Sequence, residues 1–307
     1  MIMSLLNNIL YDMVYHSAPL ILAVLGGLFA HKANVLNIGL EGMMLMGAFS
    51  STLFVLITGN LWLGILISVL CTLILGLIFS FFGITMKSNF IITGFGINIF
   101  VAALSSFVLK YMAMANINVS SIVNTAGLKI NIPIIKDIPI LNSLLSGHTA
   151  ITYLSIILIA VVTVIMYNTK FGVYVRVVGE NEEAAKSVGI NSAAIKYIAV
   201  LIGAALCGLA GANLAVERMA LFTNNMTAGR GFIAIAAIYC GQAKPIKSAM
   251  YAILFGLAKS LAINLALFAG PVSGLFEIVP YLMIVIVLFA VSAIEKRRTN
   301  IRGFKLE

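Results

Sequence analysis

Only 9% of this chain is charged, so the few places where polar side chains gather are the places to look for chemistry. The run "NIGLEGMM" (37–44) sets Asn37 one helical turn before Glu41 on a shared face, with Gly39 and Gly42 allowing close backbone approach. An amide and a carboxylate so placed can line a polar path, or they can make a buried hydrogen bond between helices. The run "TNNMTAGRG" (223–231) interrupts the apolar stretch 221–242 and offers Thr223, Asn224, Asn225, Thr227 and Arg230. These are donors and acceptors suited to a hydroxylated, uncharged ligand, or an external loop whose following helix begins at Gly231. Asn98 and Asn264 add further amides, while Phe95, Phe222 and Phe232 are rings that can stack on a base or sugar, or simply pack.

A third cluster, "GENEEAAKSVGI" (179–190), crowds Glu180, Glu182, Glu183 and Lys186 together between apolar runs. Asn181 is a suitable N-cap, and Glu182 and Glu183 suit the positive end of a helix dipole. Glu182 and Lys186 form an i,i+4 pair, and Gly189 can take the left-handed position that ends the helix. One face then carries Ala184, Ala185 and Val188, small enough to seat in a groove on another protein. An ordinary solvated loop helix has the same composition.

Other chemistries find no residues to run on. His16, His31 and His148 are scattered, and Cys71, Cys207 and Cys240 lie in apolar stretches without CxxC spacing, so neither a metal site nor a disulfide framework is expected. No Ser/His/Asp grouping and no GxxxxGK[ST] phosphate loop is present. The chain is expected to bind no cofactor and to catalyse no reaction of its own.

The elements that position these clusters follow from composition. Of 307 residues 62% are hydrophobic, with a mean hydropathy of +1.11, where a soluble domain carries about 45–50% apolar residues. The reading is an all-α polytopic membrane bundle, one domain over 1–307, since a spanning helix needs about 20 apolar residues. Qualifying segments lie near 13–30, 34–57, 61–84, 90–111, 149–167, 197–216, 248–268 and 275–293. The broken segment 221–242 makes about nine, in a range of eight to ten, and is expected to be re-entrant or interrupted. The first twelve residues are left as a possible interfacial helix. Lys and Arg concentrate on one side if loop 168–196 and tail 295–307 are cytoplasmic and loop 112–148 is external. That predicts an external N-terminus and an internal C-terminus, and it assigns the net charge of +9 to orientation and not to nucleic acid. The N-terminal residues show no basic region or cleavage pattern, so no removable signal peptide is expected. Glu41 lies about 10 Å inside its span at 1.5 Å per residue, and Lys259 is the basic residue that a charge pair at such depth would use.

The residues also carry a resemblance. "EAAKSVG" is similar to the EAA…G pattern of the cytoplasmic coupling loop in permease subunits of ABC importers. No Leu-Pro follows it, which favours the branched-chain amino acid, ribose and nucleoside branch over maltose-type importers. "KANVLNIGLEGMMLMGAF" (32–49) resembles the signature of nucleoside and simple-sugar permeases, and "NFIITGFGINIF" (89–100) and "GRGFIAIAAIYCGQAKP" (229–245) fall where that family has its other blocks. The resemblance runs from about residue 17 to residue 295.

It implies a permease subunit that takes up nucleosides, with simple sugars as the alternative; from the residues alone, an ion-coupled secondary transporter using Glu41 is the rival. It also implies a multi-pass protein of the bacterial plasma membrane with three partners: a second permease chain (similar or identical), a cytoplasmic ABC ATPase that uses ATP and Mg, and an external substrate-binding protein. The coupling element would be Asn181, Glu182, Glu183, Ala184, Ala185, Val188 and Gly189. The translocation path would draw on Asn37, Glu41, Asn98, Asn224, Asn225, Arg230 and Phe232.

Overall fold

The computed structural model describes residues 2–133, 139–267 and 270–301. The chain is a helical bundle whose elements, in order, are α1 (Ile2–Lys32), α2 (Leu40–Thr58), α3 (Leu61–Ser80), α4 (Phe90–Tyr111), β1 (Asn116–Asn118), α5 (Pro139–Leu145) and α6 (Ala150–Asn168). They continue as α7 (Lys170–Glu180), α8 (Glu182–Ser187), α9 (Ser192–Ala212), β2 (Leu221–Thr223), α10 (Arg230–Cys240), α11 (Pro245–Ala266) and α12 (Val279–Ile301). Two π-helical turns extend α3 and α9, over Phe81–Thr85 and Asn213–Met219. Local sequence sets several boundaries. Gly59, at φ +68°, ends α2, and the Asn60 side chain accepts from the Trp62 and Leu63 amides to start α3, giving a two-residue hairpin.

Among the described residues eight helices are long and apolar enough to cross a membrane. The segment expected to be broken is α10, 11 residues long, or about 16 Å, roughly half of a hydrocarbon core. The expected interfacial helix at the N-terminus is instead continuous with the first span in α1. The second span begins later than the apolar run suggested: residues 33–39 are not helical, Asn34 takes φ +58°, and the helix starts at Leu40. Loop 168–196 holds two helices, α7 and α8, where one was expected. Loop 112–148 contributes β1, which pairs antiparallel with β2 in the register Ile117↔Phe222, so this loop and the stretch leading into α10 lie at the same end of the bundle. Of the expected tail 295–307, residues up to 301 continue α12, and 302–307 lie outside the described residues.

Helices α1, α2 and α9 form the middle of the bundle, while α3, α4, α6 and α12 present mostly apolar exposed faces, as lipid contact requires. Without a hydrophobic driving force between helices in lipid, close backbone packing holds them. At Gly26 on α1 and Gly203 on α9, an added Cβ would come to 2.8 and 2.9 Å from the facing backbone oxygen.

Candidate functional site

A helix that begins inside a membrane exposes backbone amides that water cannot reach. Two helices here begin among residues buried in the bundle, and their ends meet. At the start of α2 the Asn37 side-chain Oδ1 accepts from the Gly39 amide at 3.0 Å. Asn98, on α4, accepts from the Gly42 amide at 2.7 Å and donates to the Ile38 carbonyl at 3.1 Å, so one side chain pairs both kinds of orphan group. At the start of α10 the donors are the Gly229 and Gly231 amides, and both reach the Glu41 carboxylate, at 2.9 and 2.6 Å. Glu41 lies in the first turn of α2, so one buried carboxylate sits at the positive ends of two helices. Gly229 takes φ +78°, and a Cβ on Gly231 would fall on the Glu41 backbone. The glycines of "GRG" are therefore what let the carboxylate in. Between them Arg230 folds back, donating to the Met226 and Thr227 carbonyls at 2.8 and 3.0 Å.

No ion pair joins Glu41 to Lys259 among the described residues; Lys259 borders a small cavity of about 50 Å³ with His16, Arg230 and Tyr281. Asn37 and Asn98 thus fix the start of α2, and Glu41 alone of the three reaches across to the half-helix α10.

The remaining path candidates lie on a different surface. Asn224 and Asn225 are exposed, and Asn224 accepts from the Ser106 hydroxyl of α4 at 3.2 Å. Phe232, on the first turn of α10, is exposed and stands 6.2 Å from the Phe95 ring, centroid to centroid. Phe95, Ile99 and Ser106 follow one stripe of α4, at i, i+4 and i+11. The structure therefore brings Phe95, Ser106, Asn224 and Phe232 onto one face, with two aromatic rings at one end and an amide–hydroxyl pair at the other. Ser106 was missed in the sequence, because nothing marks one serine of an apolar helix as facing this loop. Phe222 is instead core, packed 5.3 Å from Phe49 on the central α2. Asn264 is held by Asp12 and the Ser260 carbonyl.

At the opposite end, Asn181 caps α8 by accepting from the Ala184 amide at 3.0 Å, and Gly189 takes φ +82°. Glu182 pairs with Lys186 at 2.7 Å and also with Lys196, a partner that lies ten residues further on, in α9, and outside the local spacing rule. Hydrogen bonds from Lys186 and then Lys196 hold the Glu182 carboxyl down at about 2. One correction is needed. Ala185 is fully buried within its own chain, because Glu182 tethered to α9 turns that side of α8 inward. The outward surface is Glu183, Ala184, Val188 and Gly189, with Val188 72% exposed.

Comparison with known proteins gives four similarities. Residues 9–288 match the family described as "Branched-chain amino acid transport system / permease component". The chain is 31% identical over 302 residues to the nucleoside ABC transporter permease protein NupC of Lactococcus lactis subsp. cremoris, covering 94% of this chain and 93% of that one. It is 33% identical over 288 residues to the guanosine ABC transporter permease protein NupQ of Bacillus subtilis, covering 91% and 88%. Among solved structures, a chain of a metal-chelate type ABC transporter in an inward-facing conformation superposes with a TM-score of 0.52 at 16% identity, covering 92% of this chain and 85% of that one. At that identity it speaks for the fold alone.

Proposed function

This chain belongs to the Branched-chain amino acid transport system / permease component family, and on that premise we propose that it carries nucleosides across the membrane along the face shared by α4 and α10. It is a multi-pass permease subunit of an ABC importer in the cell membrane. Membership removes the ion-coupled reading of Glu41. The observation that carries the substrate proposal is the pairing on one exposed face of the Phe95 and Phe232 rings with the Ser106–Asn224 pair. A nucleoside is a flat base joined to a hydroxylated, uncharged sugar. Rings can stack on the first, and neutral donors and acceptors can hold the second. The names of the two relatives point the same way.

The face is open along one side, so a second permease chain closes the path in this proposal. The outward surface of α8 around Val188 is the seat for a cytoplasmic ATPase, where ATP and Mg act. An external binding protein delivers the nucleoside at the end bearing β1 and β2, and the N-terminus lies on that outer side. The distribution of Lys and Arg supports this orientation.

The test is substituted-cysteine labelling in the assembled transporter. Cysteine at Ser106 or Asn224 should react with a membrane-impermeant thiol reagent, and added nucleoside should slow that reaction. Cysteine at Ile157, exposed on the outer side of α6, should show no such protection. Equal labelling with and without nucleoside at all three positions would remove this face as the path.

A further inference from the structure

The two rings assigned to base stacking are mounted on one short stretch of backbone. On α4, a Cβ at Gly94 would come to 2.8 Å from the Gly39 amide nitrogen. One turn further on, Asn98 bonds the Gly42 amide and the Ile38 carbonyl at 2.7 and 3.1 Å. On α10, a Cβ at Gly231 would fall on the Glu41 backbone, and the Glu41 carboxylate takes the Gly229 and Gly231 amides. Phe95 follows Gly94 directly, and Phe232 follows Gly231. Residues 38–42 therefore act as a spacer between the two helices, and they set the 6.2 Å between the ring centroids.

At that spacing the gap is shut. A flat base held between two rings needs about 7–8 Å from ring to ring, twice the optimal separation of carbon atoms. At 6.2 Å, with the planes inclined by 34°, the rings contact each other directly, so one wall must move by about 1–2 Å to admit a base. The two ties differ in strength. Hydrogen bonds to an ionised carboxylate are roughly twice as strong as neutral ones, so Glu41 holds α10 more firmly than the Asn98 amide holds α4. Packing points the same way: 22% of the apolar window of α4 is buried, and its buried residues form one stripe, Gly94, Ile97, Val101, Ser105 and Leu109. Two further links from α4 to the approach of α10, the Ser106–Asn224 pair and the β1–β2 ladder, lie at the far end of α4 and supply a pivot.

We infer that Asn98 is a positioning residue for the substrate. Its side chain holds α4 against α2 with the Phe95–Phe232 gap closed, and its release lets α4 swing about its far end so that a base enters between the rings. The inference rests on the nucleoside reading of this face, and it gives Asn98 no contact with the ligand. Because the tie opposes the open arrangement, removing it raises the fraction of chains ready to bind, and apparent affinity rises with that fraction. A residue needed for packing alone would behave in the opposite way, since its loss weakens binding.

The test uses the assembled transporter with Asn98→Leu, which keeps the approximate shape of the side chain and loses both hydrogen bonds. Cys71, Cys207 and Cys240 are first replaced by alanine. Spin labels on Ile99→Cys of α4 and Tyr239→Cys of α10, both exposed positions, then report the distance between the walls without ligand. Asn98→Leu should give a longer and broader distance distribution than the parent. In a Ser106→Cys chain, the nucleoside concentration that halves thiol labelling should fall several-fold when Asn98→Leu is added. An unchanged distance, or a half-protecting concentration that is unchanged or raised, overturns the inference. Failure of nucleoside to protect Ser106→Cys with Asn98 intact would instead remove the path reading, and the ligand-free distance would still decide whether Asn98 holds α4. If Asn98→Leu does not purify as folded protein, Asn98→Ser, which admits a water to the freed Gly42 amide and Ile38 carbonyl, decides by the same readings.

Discussion

Replacing Glu41 with Gln changes one atom at the junction of α2 and α10, and its cost can be worked from the geometry. The native carboxylate accepts from two backbone amides, Gly229 and Gly231. Gln retains one acceptor and turns an NH₂ toward the other amide, so donor faces donor. One hydrogen bond to a charged group, about 1.5–3 kcal/mol, is lost, and one buried N–H is left bare at about 1–3 kcal/mol. Removing negative charge from the helix ends adds about 0.3–1 kcal/mol. These contributions overlap, and a total of about 3–5 kcal/mol is expected for the local structure. The bundle should remain assembled, because its central contacts lie on α1, α2 and α9. The first turn of α10 should open roughly two to four orders of magnitude more often. Hydrogen–deuterium exchange on peptides spanning 224–232 reads this directly, beside transport measured at equal protein level in the membrane. Native exchange protection at Gly229 and Gly231 together with native transport in Glu41→Gln would refute the reasoning.

Three further expectations follow from neighbouring geometry. Gly231→Ala should displace α10 and reduce transport strongly, whereas Gly96→Ala, where a Cβ meets nothing within 4 Å, should be neutral; uptake assays on both variants compare them. Val188→Trp should disrupt ATPase co-purification with the chain otherwise folded, while Ala185→Trp should first loosen α8 itself, seen as faster proteolysis of loop 168–196. The Glu182 carboxyl is held down at about 2 by Lys186 and Lys196, so its contribution to the α8–α9 tether is complete above about pH 4.3, the ordinary glutamate value. It is lost as pH falls from there through about 2, so loop proteolysis by an acid-active protease should accelerate over that window in the native chain and show no such step in Glu182→Gln.

Much of this arrangement could be read from the sequence, for physical reasons. Long apolar runs announce spans, because lipid requires every backbone group to be paired internally. The polar interruption before Gly231 announced the half-helix. Asn181, Glu182, Lys186 and Gly189 announced α8, because capping and i,i+4 pairing are local. What stayed hidden depended on distant partners. Glu41 and Gly229 are 188 residues apart, and an isolated carboxylate reads the same whether it lines a path or caps a helix. Its position just after Gly39, with a second glycine-flanked turn in "GRG", was the available signal. Ala185 was assigned to the outward face because Lys196, which turns α8 inward, falls outside the local spacing rule.

The central claim is that this chain moves nucleosides using ATP hydrolysed by a partner. The most direct measurement is uptake of a labelled nucleoside into cells with the associated ATPase subunit present or deleted, each with and without an ionophore that collapses ion gradients while ATP is maintained. The account predicts uptake that survives the ionophore and vanishes without the ATPase. Uptake that persists without the ATPase and collapses with the ionophore would contradict it.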